Sequence, residues 1–352
     1  MAEHNRDMTG ARPTGLELSP DVFAVMMATG IVSVAAYDHE YWRLGIALSV
    51  LAVVAFIGLA AGFVLWAASR PDRVRVLARD PDIALLMFTF VAACAVLDMC
   101  WGDHPAVGWL LGGLAVAGWL VLMPLSVVNV RSRPSAELRE HAHGAWLLPS
   151  VATAGLATIA TIFASDVRLP SLLVVAALAW VLAMVLYLLV TCLIAWRALA
   201  APFGPDEVTP DSWILMGALA ITALAGDHIL AALHALHAPN GLGWTRPVTL
   251  GAWVLASLWI PVLLYAEVWR ADHVPGSLRY QGVWWAAVFP LGMYSSASAA
   301  TATELHMRSL QTISLVFFWI AFTVWTLVAT GLLHSTVGRR AALRAGCSGH
   351  GP

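Results

Sequence analysis

The side chains that could carry chemistry are a few acids and histidines set within long apolar stretches. Asp98 and Asp227 are carboxylates in segments made mostly of Ala, Leu and Val. A carboxyl group in such surroundings pairs with a polar partner or takes up a proton, so both acids are candidates for proton coupling. His234 and His237 follow Asp227 by seven and ten residues. One helix face could then hold all three against a metal or haem iron.

A second group of candidates consists of hydroxylated, small and helix-breaking residues. Hydroxyls suit a path for polar solutes, whereas Pro removes a backbone hydrogen bond and leaves carbonyls free beside it. Small residues also let membrane helices pack closely, which is the alternative interpretation of each one. We predict two kinks, at Pro149 and Pro290, and a polar lining formed by Thr29, Gly30, Ser33, Thr153, Thr222, Gly292, Ser295 and Ser296.

These residues lie in about ten apolar stretches, each long enough to cross a bilayer, which takes roughly 20 residues. The polar and helix-breaking residues are concentrated in the odd-numbered stretches. Lipid favours uniformly apolar helices, so the odd stretches should face protein or a polar path. The predicted fold is an all-α integral membrane protein of five helical hairpins, with the odd helices around a central pore and the even helices outside. The predicted spans are 21–37, 43–68, 83–101, 106–130, 145–164, 169–198, 212–233, 246–269, 283–304 and 310–336.

Composition excludes an ordinary soluble domain, because 60% of the residues are hydrophobic and only 11% are charged against about 25% charged in soluble domains. We therefore predict one ten-helix domain over residues 21–336, between a cytoplasmic N-terminal tail (1–20) and a disordered cytoplasmic tail (337–352). The four Cys residues show no spacing typical of disulfides or metal sites. No phosphate-binding loop, nucleophile elbow or zinc-protease helix is present, so the sequence predicts no enzyme, no cofactor and no metal.

The distribution of Arg residues predicts the orientation in the membrane. Short cytoplasmic loops are enriched in positive charge. With the N-terminus inside, only Arg43, Arg168, Arg246 and Arg308 fall in outer loops, whereas the other fifteen of the 19 cationic residues fall inside. This bias predicts that both termini are cytoplasmic in the inner (plasma) membrane.

Three short stretches resemble the tellurite-resistance/dicarboxylate transporter family. Residues 23–33 (FAVMMATGIVS) are similar to its opening signature, residues 146–149 (WLLP) to its fifth-span motif, and residues 284–294 (WWAAVFPLGMY) to its ninth-span motif. The family includes fungal malate and sulfite transporters and the plant slow anion channels. The resemblance implies ten helices in five hairpins around a pore, assembly as a homotrimer, and a gating Phe on the ninth helix, which matches Phe289.

The resulting hypothesis is transmembrane transport of a small anion, such as a C4-dicarboxylate, sulfite, a tellurite-related species or a halide. No cationic side chain occupies the middle third of a predicted span, so attraction would come from hydroxyls and helix dipoles. Two alternatives remain open at this point. One is a proton-coupled dicarboxylate carrier that uses Asp98 or Asp227, and the other is an intramembrane metal or haem enzyme built on Asp227 and the nearby histidines.

Overall fold

The computed structural model describes residues 22–101, 104–200, 204–237 and 243–348, and these form helices joined by short turns. The predicted tail over residues 1–20 lies outside the described residues. The helices are α1 (Val22–Asp38), α2 (Trp42–Ser69), α3 (Pro71–Leu77), α4 (Pro81–Leu86), α5 (Phe88–Trp101), α6 (Pro105–Arg131), α7 (Ser135–His141), α8 (Leu148–Asp166), α9 (Ser171–Ala200), α10 (Ile214–Ala235), α11 (Thr245–His273), α12 (Trp285–Leu305) and α13 (Arg308–Ser348).

The ten predicted spans correspond to ten helical segments. Eight of these are long and apolar enough to cross a membrane, and α1 is a shorter apolar helix. The tenth, α12, is 21 residues long and rich in Ser, Ala and Thr. The third span is divided by a turn at Met87 into α4 and α5. The last helix continues to Ser348. It overlaps the predicted tail over residues 337–352, of which residues 349–352 lie outside the described residues.

Burial alternates along the chain, which confirms the predicted inner and outer helices. In the most apolar windows of the inner spans that contain α5, α8 and α10, 67%, 78% and 89% of residues are buried. The corresponding values for the outer helices α2, α6, α9, α11 and α13 lie between 22% and 33%. Large apolar side chains on the outer helices, such as Leu65 and Leu188, are exposed. Such side chains are suited to lipid.

The inner helices form a closed ring. Going round it, α1 packs against α5, α5 against α8, α8 against α10, α10 against α12, and α12 against α1. Each outer helix packs mainly against the inner helix that precedes it in the chain, so five hairpins stand side by side. Because hairpin partners run antiparallel, all five inner helices run in the same direction. Their N-terminal ends therefore meet at one end of the ring.

Candidate functional site

A cavity of about 640 Å³ opens at the N-terminal end of the ring. We call it the N-terminal cavity. Every inner helix, or the turn that leads into it, contributes apolar or small lining residues. These are Ala24, Met27, Leu86, Thr89, Ala145, Leu148, Ile214, Val283 and Ala286. The cavity is therefore centred on the axis of the ring.

Two carboxylates of the cavity wall are fixed by hydrogen bonds between neighbouring hairpins. Asp211, just before α10, accepts a hydrogen bond from the backbone N–H of Ala145 at 2.9 Å, and another from the Thr209 hydroxyl. Asp82 accepts a hydrogen bond from the Trp146 indole N–H at 2.8 Å. These contacts tie the starts of α4, α8 and α10 together around the cavity.

The outward side of α12 is defined by its contacts with outer helices. The Tyr294 hydroxyl lies 2.7 Å from Ser257 Oγ of α11. The Ser295 hydroxyl donates to the Ser314 carbonyl of α13 at 2.8 Å. Residues 294 and 295 therefore face away from the ring axis.

The two flanks of α12 are defined by contacts with its neighbours in the ring. A Cβ built on Gly217 of α10 would lie only 2.8 Å from Pro290 Cγ. On the other flank, a Cβ on Gly292 would lie 2.9 Å from Ile31 Cγ2 of α1. Glycine is required at both places because the helix backbones approach so closely.

The remaining arc of α12, between α1 and α10, faces the ring axis. Successive residues of a helix are 100° apart, so this arc carries Ala286, Phe289, Met293, Ser296 and Ala300. Ala286 is partly exposed in the N-terminal cavity, and Ala300 is partly exposed near the other end. Phe289, Met293 and Ser296 between them are buried. Solvent therefore has almost no access to these three side chains, and Phe289 is the one that follows the cavity along α12.

Several of the predicted lining hydroxyls bind the outer helices. The Trp325 indole N–H of α13 donates to Thr29 Oγ1 at 3.0 Å, and the Trp119 indole N–H of α6 donates to Thr153 Oγ1 at 2.9 Å. The Ser33 hydroxyl donates to the carbonyl of Gly45 in α2 at 2.8 Å. These three hydroxyls connect the two layers of helices.

Ser296 differs from the other predicted hydroxyls. Thr222 donates to the carbonyl of Ala218 in its own helix at 2.7 Å, and Ser295 is bonded to α13. Ser296 Oγ is buried and makes no hydrogen bond to its own helix or to an outer helix, and the Asp38 carboxyl of α1 lies beside it. Among the predicted hydroxyls, Ser296 therefore combines a position on the axis with a hydroxyl that does not tie two layers together.

The two predicted kinks occupy different positions in their helices. Pro290 lies inside α12, where it removes one backbone hydrogen bond. Pro149 stands in the first turn of α8, where the N–H has no helical partner in any case. Pro149 therefore begins its helix and does not bend it, in contrast to the expectation from sequence. Gly30 lies where α1 crosses α5, since a Cβ on it would be 2.7 Å from Val96 Cγ1.

The two candidate acids lie toward the C-terminal ends of their helices, far from the N-terminal cavity. Asp98 is fully buried, and neither of its carboxylate oxygens has a hydrogen-bond partner. It is seven residues after Val91, which faces Gly118 of α6, so Asp98 points toward the outer layer. Asp227 Oδ2 accepts a hydrogen bond from the Thr301 hydroxyl of α12 at 2.8 Å, whereas Oδ1 has no partner.

The two candidate histidines of α10 do not form a cluster with the two candidate acids. His234 and His237 are both exposed, at or just beyond the end of α10. Within the described residues, no three His, Cys, Asp or Glu side chains are arranged to hold a metal ion.

The polar residues that sequence reasoning missed lie around the N-terminal cavity. Arg197 near the end of α9, His141 at the end of α7 and His143 between α7 and α8 line this cavity. In the sequence these residues belong to loops or to the end of an outer span. Only the folded arrangement of α7 and α9 brings them to the cavity, so the sequence contained no direct signal for them.

The chain is similar in sequence to known membrane proteins. The profile of a family described as voltage-dependent anion channel matches residues 17–333. An uncharacterized membrane protein of Mycobacterium tuberculosis is 35% identical over 44% of this chain and 81% of its own length. An uncharacterized transporter of Methanocaldococcus jannaschii is 22% identical over 88% of this chain and 92% of its own length. A sulfite efflux pump of Arthroderma otae is 23% identical over 88% of both chains.

Proposed function

Because the chain belongs to the voltage-dependent anion channel family, we propose that its ring of five inner helices passes small anions across the membrane. The observation that carries this proposal is the N-terminal cavity on the ring axis, which leads to a closed apolar section at Phe289. A transport path needs an entrance that is open to solvent, and a gated path needs a section from which water is excluded. The relatives are named as a transporter and a sulfite efflux pump, which supports transport over catalysis.

The Phe289 ring is the proposed gate. It faces the axis, is wholly buried, and is the first axis-facing side chain of α12 beyond the cavity. An aromatic ring across a narrow apolar section excludes water, and an anion cannot pass without water or other polar groups around it. Pro290 beside it weakens the local helix, which would let the ring turn aside.

Attraction for anions is proposed to come from the helix ends. The N-terminal ends of the inner helices meet around the cavity, and each carries a partial positive charge of about half an elementary charge. The axis face of α12 contains no charged side chain between Ala286 and Ala300. Weak attraction of this kind allows a small anion to enter and to leave again. Sulfite, C4-dicarboxylates, halides and tellurite-related anions are the candidate substrates.

A proton-coupled carrier is the second candidate. Asp227 joins two helices of the ring through its bond to Thr301, and Oδ1 of this buried carboxylate has no partner. A change in its protonation would alter the contact between α10 and α12. Asp98 is also buried without a partner, but it faces α6, which favours Asp227 for this role.

We also propose the topology and the assembly. Both termini of the domain over residues 21–336 would lie in the cytoplasm of a plasma-membrane protein, as the Arg distribution predicts. The N-terminal cavity would then open to the cytoplasm. A homotrimer, in which each chain has its own path, follows from the family resemblance.

Uptake into proteoliposomes tests the proposal. Purified protein would be reconstituted, and chloride, sulfite and malate uptake would be measured with and without a proton gradient. Uptake above that of protein-free liposomes, unaffected by the gradient, supports passive anion passage. Uptake that follows the gradient and loses this dependence in Asp227→Asn supports the coupled carrier. Absence of anion uptake in every condition, in the parent and in Phe289→Ala, contradicts both.

A further inference from the structure

The N-terminal cavity contains a guanidinium group that the proposed path and gate do not use. Arg197 reaches the cavity from α9, an outer helix, and its side chain is 23% exposed. It is the only Arg among the described lining residues. Carboxylates line the same cavity, namely Asp82, Glu140, Asp206, Glu207 and Asp211. Apart from the cavity histidines, an anion would thus meet five carboxylates and one guanidinium group.

The Arg197 head group is held by two hydrogen bonds of different kinds. Its Nη1 donates to the carbonyl of Ala142 at 2.7 Å, and its Nη2 donates to Glu207 Oε2 at 2.7 Å. Ala142 is a buried backbone position at the end of α7, so this partner stays in place. Glu207 is a side chain that is 33% exposed, and it can turn away. A guanidinium has five N–H donors. An anion that displaces Glu207 can therefore bind to N–H groups of Arg197 that the bond to Ala142 already holds in place.

We propose that Arg197 is a docking site for the transported anion in the N-terminal cavity, with Glu207 as a competing internal carboxylate. Small oxyanions and carboxylates are the ligand class, because their paired oxygens match the planar guanidinium fork. This inference rests on the proposed anion transport. It assigns the position at which the anion binds before it reaches Phe289.

Macroscopic nitrate current in planar bilayers tests the docking site, since nitrate keeps one charge at all relevant pH values. Nitrate is titrated separately on each side of the membrane. In Arg197→Gln we expect the half-saturating nitrate concentration on one side to rise about fivefold, as for loss of one partly solvated charged hydrogen bond of about 1 kcal/mol. In Glu207→Gln we expect it to fall about threefold on the same side, because the competitor has lost its charge. The opposite side serves as the internal control.

The outcomes separate the docking site from the transport function. If neither the parent protein nor Phe289→Ala carries nitrate current from either side, the proposed transport fails. If the parent conducts and both single variants keep its half-saturating concentration, the Arg197 site is overturned while transport stands. Changes of opposite sign in Arg197→Gln and Glu207→Gln cannot come from a general loss of folding, and they are the result that the proposal requires.

Discussion

The contact between Gly217 and Pro290 gives a prediction that joins packing to the proposed gate. A Cβ added to Gly217 would lie 2.8, 2.9 and 3.0 Å from Cγ, Cβ and Cα of Pro290. Nonbonded carbon atoms rest at about 3.5–4.0 Å, so the two helices must separate by roughly 0.5–1 Å. One of the three atoms belongs to the backbone, and the proline ring is rigid. The strain in Gly217→Ala therefore cannot be relieved by a rotamer change, and α12 itself must move.

The expected cost is that of overpacking, about 1–3 kcal/mol in the free energy of unfolding. Because Pro290 adjoins Phe289, the displacement of α12 should also loosen the closed section of the axis. We therefore expect Gly217→Ala to unfold at a lower temperature in detergent and to raise basal anion flux in proteoliposomes. Intrinsic Trp fluorescence follows unfolding, and radioactive chloride efflux follows transport.

Gly251→Ala is the matched control. Gly251 lies in α11, and a Cβ there would meet nothing within 4 Å. Ala is a better helix former than Gly, by up to about 1 kcal/mol, so this variant should be at least as stable as the parent and should have parental flux. If Gly217→Ala behaves like Gly251→Ala in both assays, the close packing of α10 on α12 and its link to the gate are refuted.

Three further predictions concern single polar groups. Trp180→Phe removes the indole N–H that donates to the buried Thr222 carbonyl at 2.7 Å, and should lower the free energy of unfolding by about 1 kcal/mol; unchanged thermal unfolding would contradict this. Asp98→Asn removes a buried carboxylate without partners, so the free energy of unfolding should not fall. Anion flux should keep its pH dependence, because Asp98 faces α6. A loss of that pH dependence would instead favour Asp98 as a coupling site. Burial lowers the pKa of His39 from its ordinary value of 6.5, partly opposed by a hydrogen bond with Ser314. The folded state thus prefers the neutral ring, and this contribution to stability is present above pH 6.5 and is lost as the pH falls from there through the lowered pKa. As the pH is lowered through this range, the unfolding temperature of His39→Gln should fall less than that of the parent. An equal fall of the unfolding temperature in both proteins would show that His39 does not cause the acid destabilisation.

The layered architecture could be predicted from sequence because lipid imposes a simple rule on it. A helix such as α9, made almost entirely of Leu, Val, Ala and Trp, tolerates lipid on its surface, whereas α12 with its serines and threonines does not. Length and composition therefore located the spans and sorted them into inner and outer helices. The turn at Met87 escaped prediction, since nothing in the local composition marks it.

The directions of individual side chains could not be predicted in the same way. Thr29 and Thr153 were expected to line the axis, but each accepts a hydrogen bond from a Trp on an outer helix. A hydroxyl on an inner helix can face either the ring axis or an outer helix. The rotation of the helix about its own axis determines which of the two it faces. Arg197 shows the opposite case, because a residue near the end of an outer helix reaches the N-terminal cavity through its long side chain.

The most direct test of the central claim compares anion flux through the parent protein, Phe289→Ala and Phe318→Ala in proteoliposomes. Phe318 is the matched control, since it is another fully buried Phe but lies on α13, in the outer layer. A closed axis with Phe289 as gate predicts low parental flux, a rise of at least about tenfold in Phe289→Ala, which corresponds to about 1.4 kcal/mol, and parental flux in Phe318→Ala. Equal flux in all three proteins, or an equal rise in both variants, would contradict the gate and the path through the ring axis.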